Sequence, residues 1–244
     1  MISDKNKLIL LLVAAFALRG VGVNYGAYHP DEHLVINHAM AFGTGDFNPH
    51  MFYFPSFFLY LVFLVYGLFY LLGHVAGSFP TPDSFLLLFL DSPQVFYTLA
   101  RFVGVVFGTF SVLAIYALGK EYRNARTGFL AALFLALNFL HVRDSHFAVM
   151  DITLTFFCLV SFYELFRFWN TGEKKFFAVG VFAAGMASAV KYNAFVLALP
   201  IAMIYFYEKI ERRGGFKPKE FLRVCRDALG WGALMFLGFF MFSP

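Results

Sequence analysis

Charge is scarce in this chain. Only 14% of its 244 residues are Asp, Glu, Lys or Arg, against about 25% in an ordinary soluble domain. That argues against a soluble globular protein. Cysteine is scarcer still, with Cys158 expected inside an apolar span and Cys225 in a basic loop. Two cysteines so placed exclude a disulfide framework and say nothing of redox compartment. Internal repeats, which many transporters carry, are absent. The excess of cations is small, +4 overall. Those cations sit in short loops between apolar runs, a membrane-topology pattern and not a nucleic-acid-binding one.

What is abundant is apolar sequence: 60% of residues are hydrophobic and 21% aromatic, with a mean hydropathy of +0.70. Apolar runs at 8–23, 94–118, 128–142, 149–169, 176–190, 193–207 and 228–243 each approach the length that crosses about 30 Å of hydrocarbon. The first follows Lys5 and Lys7 and lacks an Ala-x-Ala cleavage signal, so it reads as a retained span. The expected fold is an all-α polytopic bundle of about seven spans, one module over 1–244. The chain ends in an apolar run, as a truncated piece of a longer protein would. An eighth run, 56–76, is set apart by charge parity. If it does not cross, 15 of the 19 Lys and Arg gather on one side, as the positive-inside rule requires. It is therefore expected as an interfacial or re-entrant helix within an outer loop, 24–93.

This topology sorts the polar residues. Arg19, Arg101, Arg143 and Lys191 fall at outer span ends, as do all seven histidines and Asp31, Glu32, Asp144 and Asp151. Ordinary snorkelling explains any one of them; the collection is harder to dismiss, because ionisable groups at membrane depth tend to be functional. Three constellations stand out. His29-Pro30-Asp31-Glu32-His33 opens a short amphipathic helix, where the acids would otherwise serve only as helix-start charges. His141 to Asp151, with Arg143, Asp144 and His146, joins two spans and puts Asp151 at a helix start. Lys191-Tyr192-Asn193 interrupts two apolar runs on the same face.

In this order the constellations resemble the GT-C glycosyltransferases, nearest the branch of protein O-mannosyltransferases and lipid A aminoarabinose transferases. Ala148-Val149-Met150-Asp151 resembles that branch's small-x-x-Asp motif, and Gly185-Met186-Ala187-Ser188-Ala189-Val190-Lys191 resembles its Gly-rich helix ending in lysine. The resemblance spans essentially the whole chain. It departs from the aminoarabinose transferases at Phe54-Pro55, where those enzymes carry a lysine before the proline, and 77–93 has no assignable counterpart. It implies seven spans with juxtamembrane helices in the first outer loop. It also implies a polyprenyl-phosphate sugar donor (dolichyl phosphate in eukaryotes), transfer to a glycan, lipid or protein acceptor, and an extracytoplasmic site in the plasma membrane or endoplasmic reticulum. Asp31 would be the general base, with Glu32 and Asp151 in the catalytic group. Arg101, Lys191, Arg19 and Arg143 would hold the donor phosphate, and His29, Asp144, His146 and Tyr192 would surround the acceptor. No cofactor is required on this reading. One rival is a metal-dependent relative with a divalent ion on Asp31, Asp144 and His146; the other is a transporter.

Overall fold

Helices in this chain begin and end where a side chain or a glycine offers the backbone an alternative. In the computed structural model, which describes residues 3–26, 29–209 and 221–244, Ser3 caps α1 (Asp4–Gly20) by accepting from the Asn6 N–H at 3.3 Å. Thr81 and Ser84 form a capping box that opens α4 (Pro82–Asp91). Asn124 accepts from Thr127 N–H at 3.0 Å to start α6 (Ala125–Leu137). α8 (Asp151–Thr171) stops at Gly172, whose φ of 73° is the left-handed conformation glycine adopts freely. The remaining helices are α2 (Glu32–Ala41), α3 (Phe57–Val75), α5 (Pro93–Tyr122), α7 (Phe139–Asp144), α9 (Lys174–Val190), α10 (Ala198–Tyr207) and α11 (Phe221–Phe240). Among the described residues the fold is all-α.

Several expected spans are differently built. The run 128–142 is broken at Asn138, whose extended backbone ends α6 and whose Oδ1 accepts from His141 N–H at 3.0 Å to start α7. The run 193–207 opens as a 3-10 turn, Tyr192–Leu197, before α10. The last helix begins at Phe221, so Cys225 lies on a helix and not in a loop; part of the basic cluster expected at 209–226 falls on 210–220, outside the described residues. Three described helices, α3, α5 and α8, are long and apolar enough to cross a bilayer. α3 is among them, although charge parity sets it apart.

The helices pack as a bundle with α5, α8 and α9 at its centre. Small residues allow the closest approaches. A Cβ on Gly128 would lie 2.4 Å from the Tyr116 carbonyl, and one on Gly185 would lie 2.2 Å from the Met235 carbonyl, so α5 meets α6, and α9 meets α11, backbone to backbone. α2, α3 and α4 gather around the first half of α5. Phe57 at the start of α3 meets Phe157 of α8, with ring centroids 5.5 Å apart. Further along, the Tyr66 hydroxyl donates to the Phe96 carbonyl at 3.0 Å in the first turn of α5. α3 therefore runs back toward the start of α5 and not along it to Tyr122. Its outer face leaves Leu64, Leu68, Leu71, Leu72 and Val75 exposed, a stripe suited to lipid as solvent.

Because α8 and α9 are antiparallel neighbours, the start of α8 and the end of α9 lie together. This places Asp151 beside Lys191.

Candidate active site

Two polar arrangements occupy this end of the bundle. The first is sealed. Glu32 has no exposed surface and Arg101 has 1%. The guanidinium grips the carboxylate twice, Nε to Oε1 at 2.7 Å and Nη2 to Oε2 at 2.8 Å. Glu32 also accepts the His29 N–H at 2.8 Å, reaching back three residues as a capping box does, and the Ala148 N–H at 2.8 Å. Arg101 Nη1 donates in turn to the Val23 and Tyr25 carbonyls at 3.0 and 2.7 Å. One ion pair thus ties the segment after α1, the start of α2, the first half of α5 and the loop before α8. Breaking such a buried pair from one side costs about 3–5 kcal/mol, because a charge is left buried alone.

Arg19 forms a second buried knot. Its guanidinium donates to the Ala15, Ala136 and Leu135 carbonyls at 3.0, 3.3 and 3.2 Å and sits 3.0 Å from His141 Nδ1. It locks α1 to the ends of α6 and α7, in an environment with Ser145 and Gly108 so tight that a Cβ on Gly108 would meet the arginine at 2.9 Å.

The second arrangement is open. A cavity of about 580 Å³ is lined by Asp31, Leu34, Tyr53, Phe54, Met150, Asp151, Lys191, Tyr192 and Asn193, with Val149 at its wall. Lys191 Nζ donates to Asp151 Oδ1 at 2.7 Å, with both side chains partly exposed. Such an accessible pair is worth roughly 0–1 kcal/mol, so an incoming anion can displace it. Asp31 is 60% exposed at its side chain. Its own N–H donates to His29 Nδ1 at 3.2 Å, and the same ring nitrogen lies 3.8 Å from its Oδ2, so His29 flanks a carboxylate that lines the cavity.

The expected site residues therefore divide. Asp31, Asp151, Lys191 and Tyr192 line one cavity. Glu32 and Arg101 stand behind it, each holding the other, and Arg19 stands in its own knot; none of these three is among the residues that line the cavity. Arg143 pairs with its neighbour Asp144 at 2.7 Å. His146 is engaged by the Val142 and Val21 carbonyls at 2.8 and 3.0 Å. Asp31, Asp144 and His146 do not converge: among the described residues, no group of three His, Cys, Asp or Glu is placed to hold a metal ion. The motif reading passed over Tyr53 and the anchoring backbone groups. Tyr53 carried a usable signal, an aromatic residue in the run Phe52-Tyr53-Phe54-Pro55; the Ala148 N–H and the Val23 and Tyr25 carbonyls carried none.

Comparison with known proteins agrees with this architecture. A S. cerevisiae protein O-mannosyltransferase Pmt1-Pmt2 complex, solved with its sugar donor bound, contains a chain of similar fold, with a TM-score of 0.72 at 18% identity over 99% of this chain and 33% of that one. A curated Aquifex aeolicus (strain VF5) protein of uncharacterized function is 26% identical over 125 residues, 51% of this chain and 24% of its own length. The chain thus spans about a quarter to a third of these relatives. The sequence profile of the dolichyl-phosphate-mannose-protein mannosyltransferases matches residues 85–225, and with the apolar helices and the GT-C-like bundle it makes this chain an integral-membrane member of that family.

Proposed function

We propose that this module transfers a mannosyl group from a polyprenyl-phosphate donor to an acceptor hydroxyl on the extracytoplasmic face, with inversion at the sugar carbon. The observation that carries this reading is that Asp31 and Lys191 line one open cavity while the neighbouring arginines are held elsewhere. Asp31 takes the proton of the acceptor hydroxyl as its oxygen bonds to C1 of the sugar. The C1–O bond to phosphate breaks, and the leaving phosphate gathers its negative charge against Lys191. Asp151 holds Lys191 in place before the donor arrives and yields it to the phosphate. Attack from the side opposite the leaving group inverts the configuration. Tyr53, Phe54 and Tyr192 supply aromatic walls on which a sugar can lie.

The side of the membrane follows from the basic loops and from α3, whose run back toward the start of α5 supports a helix that enters and does not cross. Cysteines placed at Ser78 and Asn124 are expected to label from opposite sides, and labelling of both from one side contradicts this topology.

The catalytic reading is tested by Asp31→Asn in the full-length protein. Asparagine keeps the size and the helix-start preference but cannot take the proton. Transfer is expected to fall by at least about 10²-fold, the lower end of what a general base contributes, with the donor still bound. Activity within a few-fold of wild type would remove Asp31 as the base.

A further inference from the structure

The end of the bundle opposite Asp151 and Lys191 carries a pair of adjoining cavities. One, of about 330 Å³, is lined by Lys174, Tyr205, Glu208, Lys209, Arg226 and Asp227, with Phe168, Gly230 and Trp231 completing it. The other, of about 150 Å³, lies between α9, α10 and α11 and is lined by apolar residues such as Phe177, Ile201 and Met235. The two share Tyr205 and Trp231, so a polar chamber opens onto an apolar slot through an aromatic threshold. Trp231 is fixed there by an edge contact with Phe177 at 4.9 Å. Its buried indole N–H has no acceptor among the described residues.

The charges of the polar chamber are partly matched. Lys209 Nζ donates to Asp227 Oδ2 at 3.2 Å, and Arg226 lies 3.7 Å from the same carboxylate. Lys174 has no ion-pair partner among the described residues. Among the described lining residues three cations face two acids, an excess of one positive charge beside an apolar slot.

We propose that these cavities form a binding site for one anionic glycerophospholipid of the leaflet opposite the catalytic cavity. The phosphodiester carries the single negative charge the chamber lacks and lies among Lys174, Lys209 and Arg226. An ester carbonyl at the junction of head and tail accepts the Trp231 N–H, and an acyl chain enters the slot between α9, α10 and α11. Tryptophan at the level of lipid ester groups, with basic residues just outside it, is the arrangement a membrane interface favours. The site packs against α9, the helix that ends in Lys191, but it does not rest on the catalytic reading.

The test uses the whole protein with Trp169, and any tryptophan beyond residues 1–244, replaced by Phe, so that Trp231 is the single tryptophan, in phosphatidylcholine nanodiscs. Phosphatidylglycerol brominated on its acyl chains is titrated against equally brominated phosphatidylcholine, and indole fluorescence is read. Quenching by the anionic lipid is expected to saturate at a low mole fraction, while quenching by phosphatidylcholine rises only in proportion to its amount. Lys174→Glu and Arg226→Glu, both at exposed positions, are each expected to raise the half-quenching mole fraction at least about fivefold, the electrostatic share of one cation near a lipid surface. Water-soluble glycerol phosphate, lacking the tail, should not reverse the quenching. Equal quenching by the two lipids, indifference to both charge reversals, or reversal by glycerol phosphate alone each overturns the proposal.

Discussion

Behind the open cavity, Glu32 receives four hydrogen bonds and no solvent; at its rim, the adjacent residue Asp31 keeps a carboxylate that is 60% exposed. The two acids share a helix start and a charge, yet only one is chemically available. A carboxylate has about four lone-pair positions, and those of Glu32 are filled by Arg101 and two backbone amides. It has nothing left with which to take a substrate proton. The same contrast separates the cations: Arg101 answers a buried carboxylate and two carbonyls, whereas Lys191 answers one half-exposed carboxylate. The sealed knot fixes distances and the open cavity uses them. Ala148, held by Glu32, is three residues from Asp151, so the knot sets the cavity's two acids relative to each other.

The largest effect expected from breaking this arrangement lies in the knot. Glu32→Ala or Arg101→Ala is expected to cost about 3–5 kcal/mol of stability, read as a lowered denaturation midpoint in micelles. Replacing the pair together with Leu and Met should recover much of that loss, since a buried ion pair is often matched by apolar residues of similar volume. Recovery of stability without recovery of transfer would show the knot acting by position. If Glu32→Ala left stability unchanged, the sealed half of the comparison would fail. Arg19→Leu should follow with about 1–3 kcal/mol, from the Ala136 carbonyl left without its arginine donor and the Leu135 carbonyl left with the Asn138 N–H alone. Lys191→Ala should change stability least, by no more than about 1 kcal/mol, while weakening donor binding and turnover together. A large loss of stability at Lys191 with unchanged donor affinity would reverse its assignment.

Much of this arrangement is legible in the sequence alone. Asp151 at a span start and Lys191 at a span end fell on the same face by charge parity, and antiparallel packing of α8 and α9 brings them to 2.7 Å. The Asp31-Glu32 pair was marked as a pair. Which acid faces the cavity is not legible in the sequence, because both suit a helix start and burial depends on α5 supplying Arg101 from 69 residues away. Arg19, likewise, reads in the sequence as an outer cation; the three carbonyls and His141 that converge on it leave no mark there. Helix breaks were partly hidden for a related reason. Asn138 sits within an apolar run, where its extended backbone ends α6 and its side chain caps the start of α7, a local competition that hydropathy does not register. Tyr53 lacked a polar motif to mark it.

The most direct test of this division of labour is a structure of the full-length protein with a non-transferable polyprenyl-phosphate sugar bound. The account predicts a phosphate oxygen within about 4 Å of Lys191 Nζ, the sugar lying between Lys191 and the Asp31 carboxylate, and the Glu32–Arg101 pair intact behind them. A phosphate held by Arg101, with Glu32 released, would contradict it.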